Sequence, residues 1–208
     1  MYFFSPPAIL KWITPGYVYW NVENAPRKIY LTLDDGPDER VTPEVLSILK
    51  DFGARATFFC LGKNAEKHPV ILENILLQGH ALGNHTYSHC NAWRTSISGF
   101  MKDVKKCDEV FRSSLMRPPY GNLPLYGLNE LNKQYKIIMW SLMSFDFDKR
   151  ITADAIVSHF AGNTRSGSVW VFHDSMKARE RCLSALPILI EYFMKEGFVF
   201  EKLDAGKL

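Results

Sequence analysis

Two carboxylates stand side by side in Asp34-Asp35-Gly36-Pro37, directly after the apolar run Lys28 to Leu33. Two imidazoles, His85 and His89, stand four residues apart further along the chain. On a helical turn that spacing puts both rings on one face, within reach of a single ion. Two imidazoles and one of the two aspartates form a set that holds a divalent cation and leaves positions open for water or substrate. Each part alone is weak. Asp, Gly and Pro are turn formers, and histidines at this spacing are common on surfaces.

Three further places carry polar chemistry. In Arg117-Pro118-Pro119-Tyr120-Gly121 two prolines fix the backbone of a loop that carries a guanidinium, although in isolation this reads as a structural turn. Asp146 follows the apolar stretch Ile137–Trp140 and alone reads equally as a solvated loop acid. His173, followed by Asp174, emerges directly from the apolar run Ser168–Phe172. An imidazole at a strand end is well placed for proton transfer.

The elements that must position these residues alternate in type. Lys28–Leu33 reads as a buried strand, since it is short and apolar and Gly36-Pro37 cannot continue a ladder. A helix is predicted over Pro43–Phe52 with Gly53 as its stop, then a strand over Ala54–Cys60 and a helix over 64–78. A strand over Gly79–Gly83, an amphipathic helix over Ser96–Phe111, a short strand at Leu115-Met116 and a weak helix over 124–134 follow. The strands Ile137–Trp140 and Ser168–Phe172 flank a helix over Thr152–Phe160. A last helix marked by Cys182, Leu186, Leu189, Ile190 and Phe193, with Pro187 near its start or kinking it, precedes the strand Phe198–Leu203.

This rhythm predicts an α/β fold with a parallel sheet and helices outside it. The C-terminal ends of parallel strands share one face, where active sites are built. Asp34, Asp35, His85, His89, Arg117, Asp146 and His173 all follow predicted strands, so one site gathers them. A full eight-unit barrel takes about 250 residues, and the chain has 208. The sheet is therefore an incomplete, distorted barrel or an open doubly wound sheet.

Composition narrows the partners. The content is 47% hydrophobic and 13% aromatic, enough for one substantial core. The net charge is only +3, with Lys and Arg scattered, which argues against nucleic acid as a partner. The four cysteines, Cys60, Cys90, Cys107 and Cys182, are widely spaced and read as free thiols of a reducing compartment. They are expected to fill the core. Cys90, beside His89, is the one to watch near an ion. The first twenty residues lack the parts of an export signal, and Pro6, Pro7, Lys11 and Pro15 interrupt any bilayer span. Residues 1–27 are expected to form an arm packed on a single catalytic domain over 28–208. The alternative is a peripheral anchor with Phe3, Phe4, Ile9, Leu10, Trp12 and Ile13 near lipid headgroups. The expected location is the cytoplasm, with the inner face of the membrane as the peripheral variant.

Across residues 28–203 the chain resembles the polysaccharide deacetylase family, the NodB-homology group of carbohydrate esterase family 4. Thr32-Leu33-Asp34-Asp35-Gly36-Pro37 is similar to its T-F-D-D-G-P motif, His85-Thr86-Tyr87-Ser88-His89 to H-[ST]-x-x-H, and Arg117-Pro118-Pro119-Tyr120 to R-P-P-Y. The resemblance implies a distorted (β/α) barrel with fewer than eight complete units. It implies Asp34 as general base, Asp35, His85 and His89 as ligands of one divalent metal, and Arg117 as the residue that orients Asp34. Zinc comes first, with cobalt, iron or nickel as alternatives. It further implies the Tyr120 N–H in the oxyanion hole and, through Val171-Phe172-His173, His173 as general acid with Asp146 as its partner. Phe147, Pro119 and Val171 are expected along the substrate groove. The fourth motif, D-x-x-D-W, departs from the family pattern, with Met143 at its first Asp and Phe147 at its Trp.

The implied activity is metal-dependent removal of N-acetyl groups from an amino-sugar poly- or oligosaccharide or a lipid-linked sugar. The alternatives are deformylation or other amide hydrolysis on the same scaffold, and a sugar-binding homologue that does not catalyse.

Overall fold

The computed structural model describes residues 5–6 and 13–208. Nine strands form one sheet: β1 (Val18–Tyr19), β2 (Lys28–Asp34), β3 (Ala56–Cys60), β4 (Ala81–Asn84), β5 (Leu115–Met116), β6 (Lys136–Ile138), β7 (Leu142–Met143), β8 (Ser168–His173) and β9 (Val199–Phe200). Their order is β1-β6-β5-β4-β3-β2-β8-β7, with β9 paired to β2. Every ladder is parallel. The path ends at β1 and β7, which do not pair, so the curled sheet stays an open, incomplete barrel.

The connecting helices are α1 (Val41–Asp51), α2 (Gly62–Lys67), α3 (Pro69–Leu77), α4 (Ile97–Val110), α5 (Leu128–Asn132), α6 (Ala153–Asn163) and α7 (Arg179–Lys195). Ser96 caps α4 by accepting from the Gly99 N–H, and Thr152 caps α6 by accepting from the Ala155 N–H. β8 is buried along its whole length, and β2 from Leu31 onward, because helices or the barrel interior cover both faces. Under the helices, the fully buried Trp170 meets Phe160, Phe193 and Phe200 edge-on at 5.0, 5.3 and 5.4 Å. Burial of one such side chain contributes about 1.5 to 3 kcal/mol.

Several expectations are corrected. The helix expected over 64–78 is two helices, because Pro69 starts a new one after His68. The expected strand Phe198–Leu203 pairs only over Val199–Phe200. Pro187 lies inside α7 rather than starting it. β1 and β7, of two residues each, are new.

β1 also changes the view of the N-terminal arm. Val18 and Tyr19 pair with Ile137 and Ile138 of β6, and Val18, Trp20, Val22 and Ala25 are buried. These residues belong to the domain. Of the apolar set considered for lipid, Ile13 is exposed; Phe3, Phe4, Ile9, Leu10 and Trp12 lie outside the described residues. The four cysteines are free thiols. Among the described residues, no helix is long and apolar enough to cross a membrane.

Candidate active site

Strand register assembles the site. β2 lies between β3 and β8, and its last residue, Asp34, is level with His173 of β8 and Phe59 of β3. Asn84 ends β4 level with Cys60 and Met116, so His85 and Arg117 leave the sheet side by side.

Asp34 is held from inside the barrel. The Arg117 guanidinium is fully buried, stacked 4.2 Å from the centre of the Phe59 ring. Its Nη1 donates to Asp34 Oδ1 and to Thr32 Oγ1, both at 2.6 Å. Its Nε and Nη2 donate to the carbonyls of Ile138 and Met139, at 3.1 and 2.8 Å. A planar fork with four of its five N–H groups engaged has one orientation available to it. Burial lowers the Arg117 pKa and the Asp34 carboxylate opposes that. No described residue bonds the other Asp34 oxygen, which is thereby left to accept from a ligand.

Asp35 turns away from its neighbour by taking a left-handed conformation, φ 77°. Its carbonyl accepts from the Asn64 side chain at 2.7 Å. The next residue must be glycine, since a Cβ at Gly36 would sit 2.1 Å from Asp174 Oδ2. The buried Asp174 carboxyl group accepts from the Gly36 N–H at 3.1 Å and meets the Thr42 hydroxyl at 2.5 Å. Burial pushes its carboxyl up to about 8.

His85 and His89 meet Asp35 through a loop, not through the helical turn expected from their spacing. Thr86 and His89 both take left-handed conformations, φ 63° and 64°, which for the β-branched Thr86 is strained. Side chains around the loop hold it. Asn84 Oδ1 accepts from the Thr86 N–H at 2.8 Å, and Asp103 on α4 accepts from the Ser88 N–H and hydroxyl at 2.9 Å each. The imidazole Nε2 atoms of His85 and His89 lie 3.7 and 3.2 Å from Asp35 Oδ1.

These three residues fit a metal. Their donor atoms all lie within 4.8 Å of one another. The tautomer agrees: His85 Nδ1 contacts the Arg117 carbonyl at 2.7 Å, and a carbonyl only accepts, so Nδ1 carries the proton and Nε2 offers its lone pair. Burial lowers the His85 pKa against the pull of Asp34 and Asp35, which keeps the ring neutral and able to ligate. Burial opposes ionisation of Asp35, yet the His89 hydrogen bond and the imidazoles of His173, His85 and His89 hold its carboxyl well below the usual range. Cys90 is not part of this group; its thiol contacts the Thr95 hydroxyl at 3.3 Å.

On the other side, His173 is bound to Asp146. Asp146 Oδ1 accepts from Nδ1 at 2.7 Å and Oδ2 accepts from the His173 backbone N–H at 2.9 Å. Burial disfavours the imidazolium, but the fully buried Asp146 carboxylate outweighs it and the His173 pKa rises to about 9. The Phe147 ring packs edge-on against His173 at 4.9 Å and is partly exposed.

Tyr120 closes the metal side, its ring edge-on to His89 at 4.4 Å and its φ at 61°. Among the described residues, its N–H donates to no backbone carbonyl. Pro119 and Val171 correct the expected groove. Both are buried, Val171 in the middle of β8 between Thr32 and Met143, so neither offers surface to a substrate. The exposed walls are Tyr120 and Phe147. Asp174, Asn84 and Asp103 support the site without a motif to announce them, whereas Thr32 opens the motif that carries Asp34. Of those three, only Asp174, as neighbour of His173 at a strand end, had a readable signal.

A sequence profile described as polysaccharide deacetylase matches residues 21–135. A peptidoglycan-N-acetylglucosamine deacetylase of Bacillus cereus is 37% identical over 186 residues, spanning 86% of this chain and 67% of that protein. A chitooligosaccharide deacetylase of Azorhizobium caulinodans is 32% identical over 195 residues, spanning 84% of this chain and 92% of that one. Among solved structures, the Bc1960 peptidoglycan N-acetylglucosamine deacetylase in complex with 4-naphthalen-1-yl-N-oxidanyl-benzamide superposes with a TM-score of 0.86 at 32% identity. That match covers 91% of this chain and 95% of the other.

Proposed function

The chain belongs to the polysaccharide deacetylase family, and from that premise we propose that it is a metal-dependent hydrolase removing N-acetyl groups from an amino-sugar glycan. The observation that carries the reading is the flanking of the Asp35, His85 and His89 cluster by two differently prepared proton carriers. One is Asp34, clamped by Arg117, and the other is His173, charged by Asp146.

Asp35, His85 and His89 would hold one divalent ion, with zinc first among zinc, cobalt, iron and nickel. Such an ion, when bound, polarises the acetamide oxygen and lowers the pKa of water. Asp34, fixed at Oδ1, takes the proton of the attacking water on its other oxygen. The Tyr120 N–H donates to the negative charge that develops on the acetamide oxygen; loss of one such donor typically costs about a hundred- to a thousandfold in rate. His173 Nδ1 is engaged by Asp146, so Nε2 delivers the proton to the leaving sugar nitrogen as the carbon–nitrogen bond breaks. The products are acetate and a free amino sugar. Phe147 shields His173 from bulk water and presents an apolar wall to the sugar.

The test is acetate release from N-acetylglucosamine oligomers by protein stripped of metal and reloaded with zinc or cobalt, beside His85→Ala and Asp34→Asn. Metal-dependent release abolished by both substitutions supports the reading. Stoichiometric metal binding without acetate from oligomers, peptidoglycan fragments or lipid-linked sugars overturns it, and formate release from N-formyl analogues would reassign the acyl group.

A further inference from the structure

Asn84, the last residue of β4, is fully buried and directly precedes His85. Both N–H groups and the oxygen of its amide are engaged. Nδ2 donates to the Val104 carbonyl at 3.1 Å and to Asp108 Oδ1 at 2.9 Å, both on α4, while Oδ1 accepts from the Thr86 N–H at 2.8 Å. These partners admit one orientation. Reversed, the amide would set N–H against N–H at Thr86, and oxygen against oxygen at Val104 and Asp108.

The carboxylate that selects this orientation is itself fixed. Asp108 Oδ2 accepts from the hydroxyl of Tyr135, a buried side chain just before β6. Burial and Asp108 together push the Tyr135 phenol up, so it remains a donor. At the other end the chain of bonds reaches the backbone beside both imidazoles. Thr86 follows His85 and is held in a left-handed conformation that is costly for a β-branched residue. Its Oγ1 accepts at 3.0 Å from the N–H of Cys90, which follows His89. One anchored residue thus sets the chain next to each ring, and a buried polar network holds its shape only while its members stay satisfied.

We propose that Asp108 is a positioning residue for the ion: by orienting Asn84 it keeps the His85–His89 loop in the shape that turns both imidazoles toward Asp35. This inference rests on the metal reading of Asp35, His85 and His89 and extends it to a side chain on α4 that meets none of the three. Groups that orient metal ligands typically alter affinity about ten- to a hundredfold, and the lower end is expected of one acting through an amide.

The test titrates zinc-loaded wild type, Asp108→Leu, Asp108→Asn and Glu109→Leu with a chromogenic chelator to obtain zinc affinity. It also compares the visible absorption of the cobalt-loaded proteins, with melting temperature as the folding control. Asp108→Leu is similar in size and leaves one buried N–H of Asn84 without its acceptor; zinc is expected to bind about tenfold more weakly, and the cobalt bands to shift and weaken. The double variant Asp108→Leu with Tyr135→Phe also removes the orphaned hydroxyl, so it carries the same expectation should the single variant fail to fold. An amide at position 108 can turn its oxygen to Asn84 and its N–H to the Tyr135 oxygen, so Asp108→Asn should stay within about threefold of wild type. Glu109→Leu removes the neighbouring exposed carboxylate of α4 and should leave affinity and spectrum unchanged.

Wild-type affinity in the leucine variants, a loss in Asp108→Asn equal to that in Asp108→Leu, or an equal loss in Glu109→Leu overturns the positioning role. Absence of zinc binding by wild type overturns the metal reading and this role with it. The expected affinities without acetate release from any glycan overturn the deacetylase reading alone.

Discussion

Asp146 holds His173 twice, one carboxylate oxygen on the ring Nδ1 at 2.7 Å and the other on the backbone N–H at 2.9 Å. The same residue thus sets the charge of the imidazole and the position of the strand end that carries it. Orientation and protonation are coupled in one contact.

A pH profile follows from that contact. The His173 pKa is raised to about 9, because Asp146 outweighs the burial that disfavours the imidazolium. The protonated ring persists up to that pH, so kcat is expected to fall along an alkaline limb near 9. Asp146→Asn removes the main stabilising charge and leaves burial opposed only by the weaker pull of Asp35 and Asp34. The limb should move to lower pH, and turnover at pH 8 should drop by about a hundredfold, the usual scale of general acid catalysis. Stability has the same sign: a raised folded-state pKa contributes stability that is full below the ordinary value near 6.5 and is lost as pH rises through about 9. An alkaline limb that stays put in Asp146→Asn removes His173 as the acid.

Asp174 gives a prediction about stability. Its carboxyl group is the partner of two buried groups, the Gly36 N–H and the Thr42 hydroxyl, and it ties the turn after Asp35 to the start of α1. Asp174→Ala leaves both without this partner and opens a cavity, at about 3 kcal/mol. Asp174→Asn keeps an acceptor for Gly36 and should lose about half of that. Urea unfolding of the metal-free proteins measures the difference. Equal stability of Asp174→Ala and wild type would show that the turn holds itself.

How much of this was legible in the sequence depends on the range of the interactions. β2 and β8 announce themselves as apolar runs that end in Asp34 and His173, because burial on both faces needs no distant information. The convergence of His85, His89 and an aspartate was readable from residue type and strand position. The way they converge was not: a left-handed loop shaped by Asn84 and Asp103 replaces the helical turn that the spacing favours. Pro119 and Val171 were expected at a groove because they stand beside motif residues, but nearness along the chain does not report depth, and both are buried. The grip of Asp174 on Gly36 spans 138 positions of sequence, a pairing that no local pattern encodes.

Arg117 should not tolerate its conservative replacement. Its three nitrogens make four hydrogen bonds in one plane, to Thr32, Asp34, Ile138 and Met139. A lysine ammonium reaches one end of that fork and leaves buried carbonyls without donors. Arg117→Lys is expected to lose activity by at least a hundredfold, with kcat falling more than KM rises, because Asp34 loses its orientation. Arg117→Met leaves the Asp34 charge buried without its partner and should cost about 3 to 5 kcal/mol in stability. Activity within tenfold of wild type in Arg117→Lys would mean that Asp34 is positioned by the strand alone.

Metal binding should be visible as folding stability, independent of any substrate. Asp35, His85 and His89 come from two different loops, so an ion that bridges them binds the folded chain and not the unfolded one. At zinc one hundredfold above its dissociation constant the gain is about 2.7 kcal/mol, which for a chain of this size raises the melting temperature by roughly 5 to 10 °C. Chelation should reverse the rise, and His89→Ala or Asp35→Ala should abolish most of it. Cys90→Ser is the control, since its thiol contacts Thr95 rather than the cluster, and it should keep the full rise. A zinc-induced shift that survives in both His89→Ala and Asp35→Ala, or one lost in Cys90→Ser, would move the ion away from these three residues.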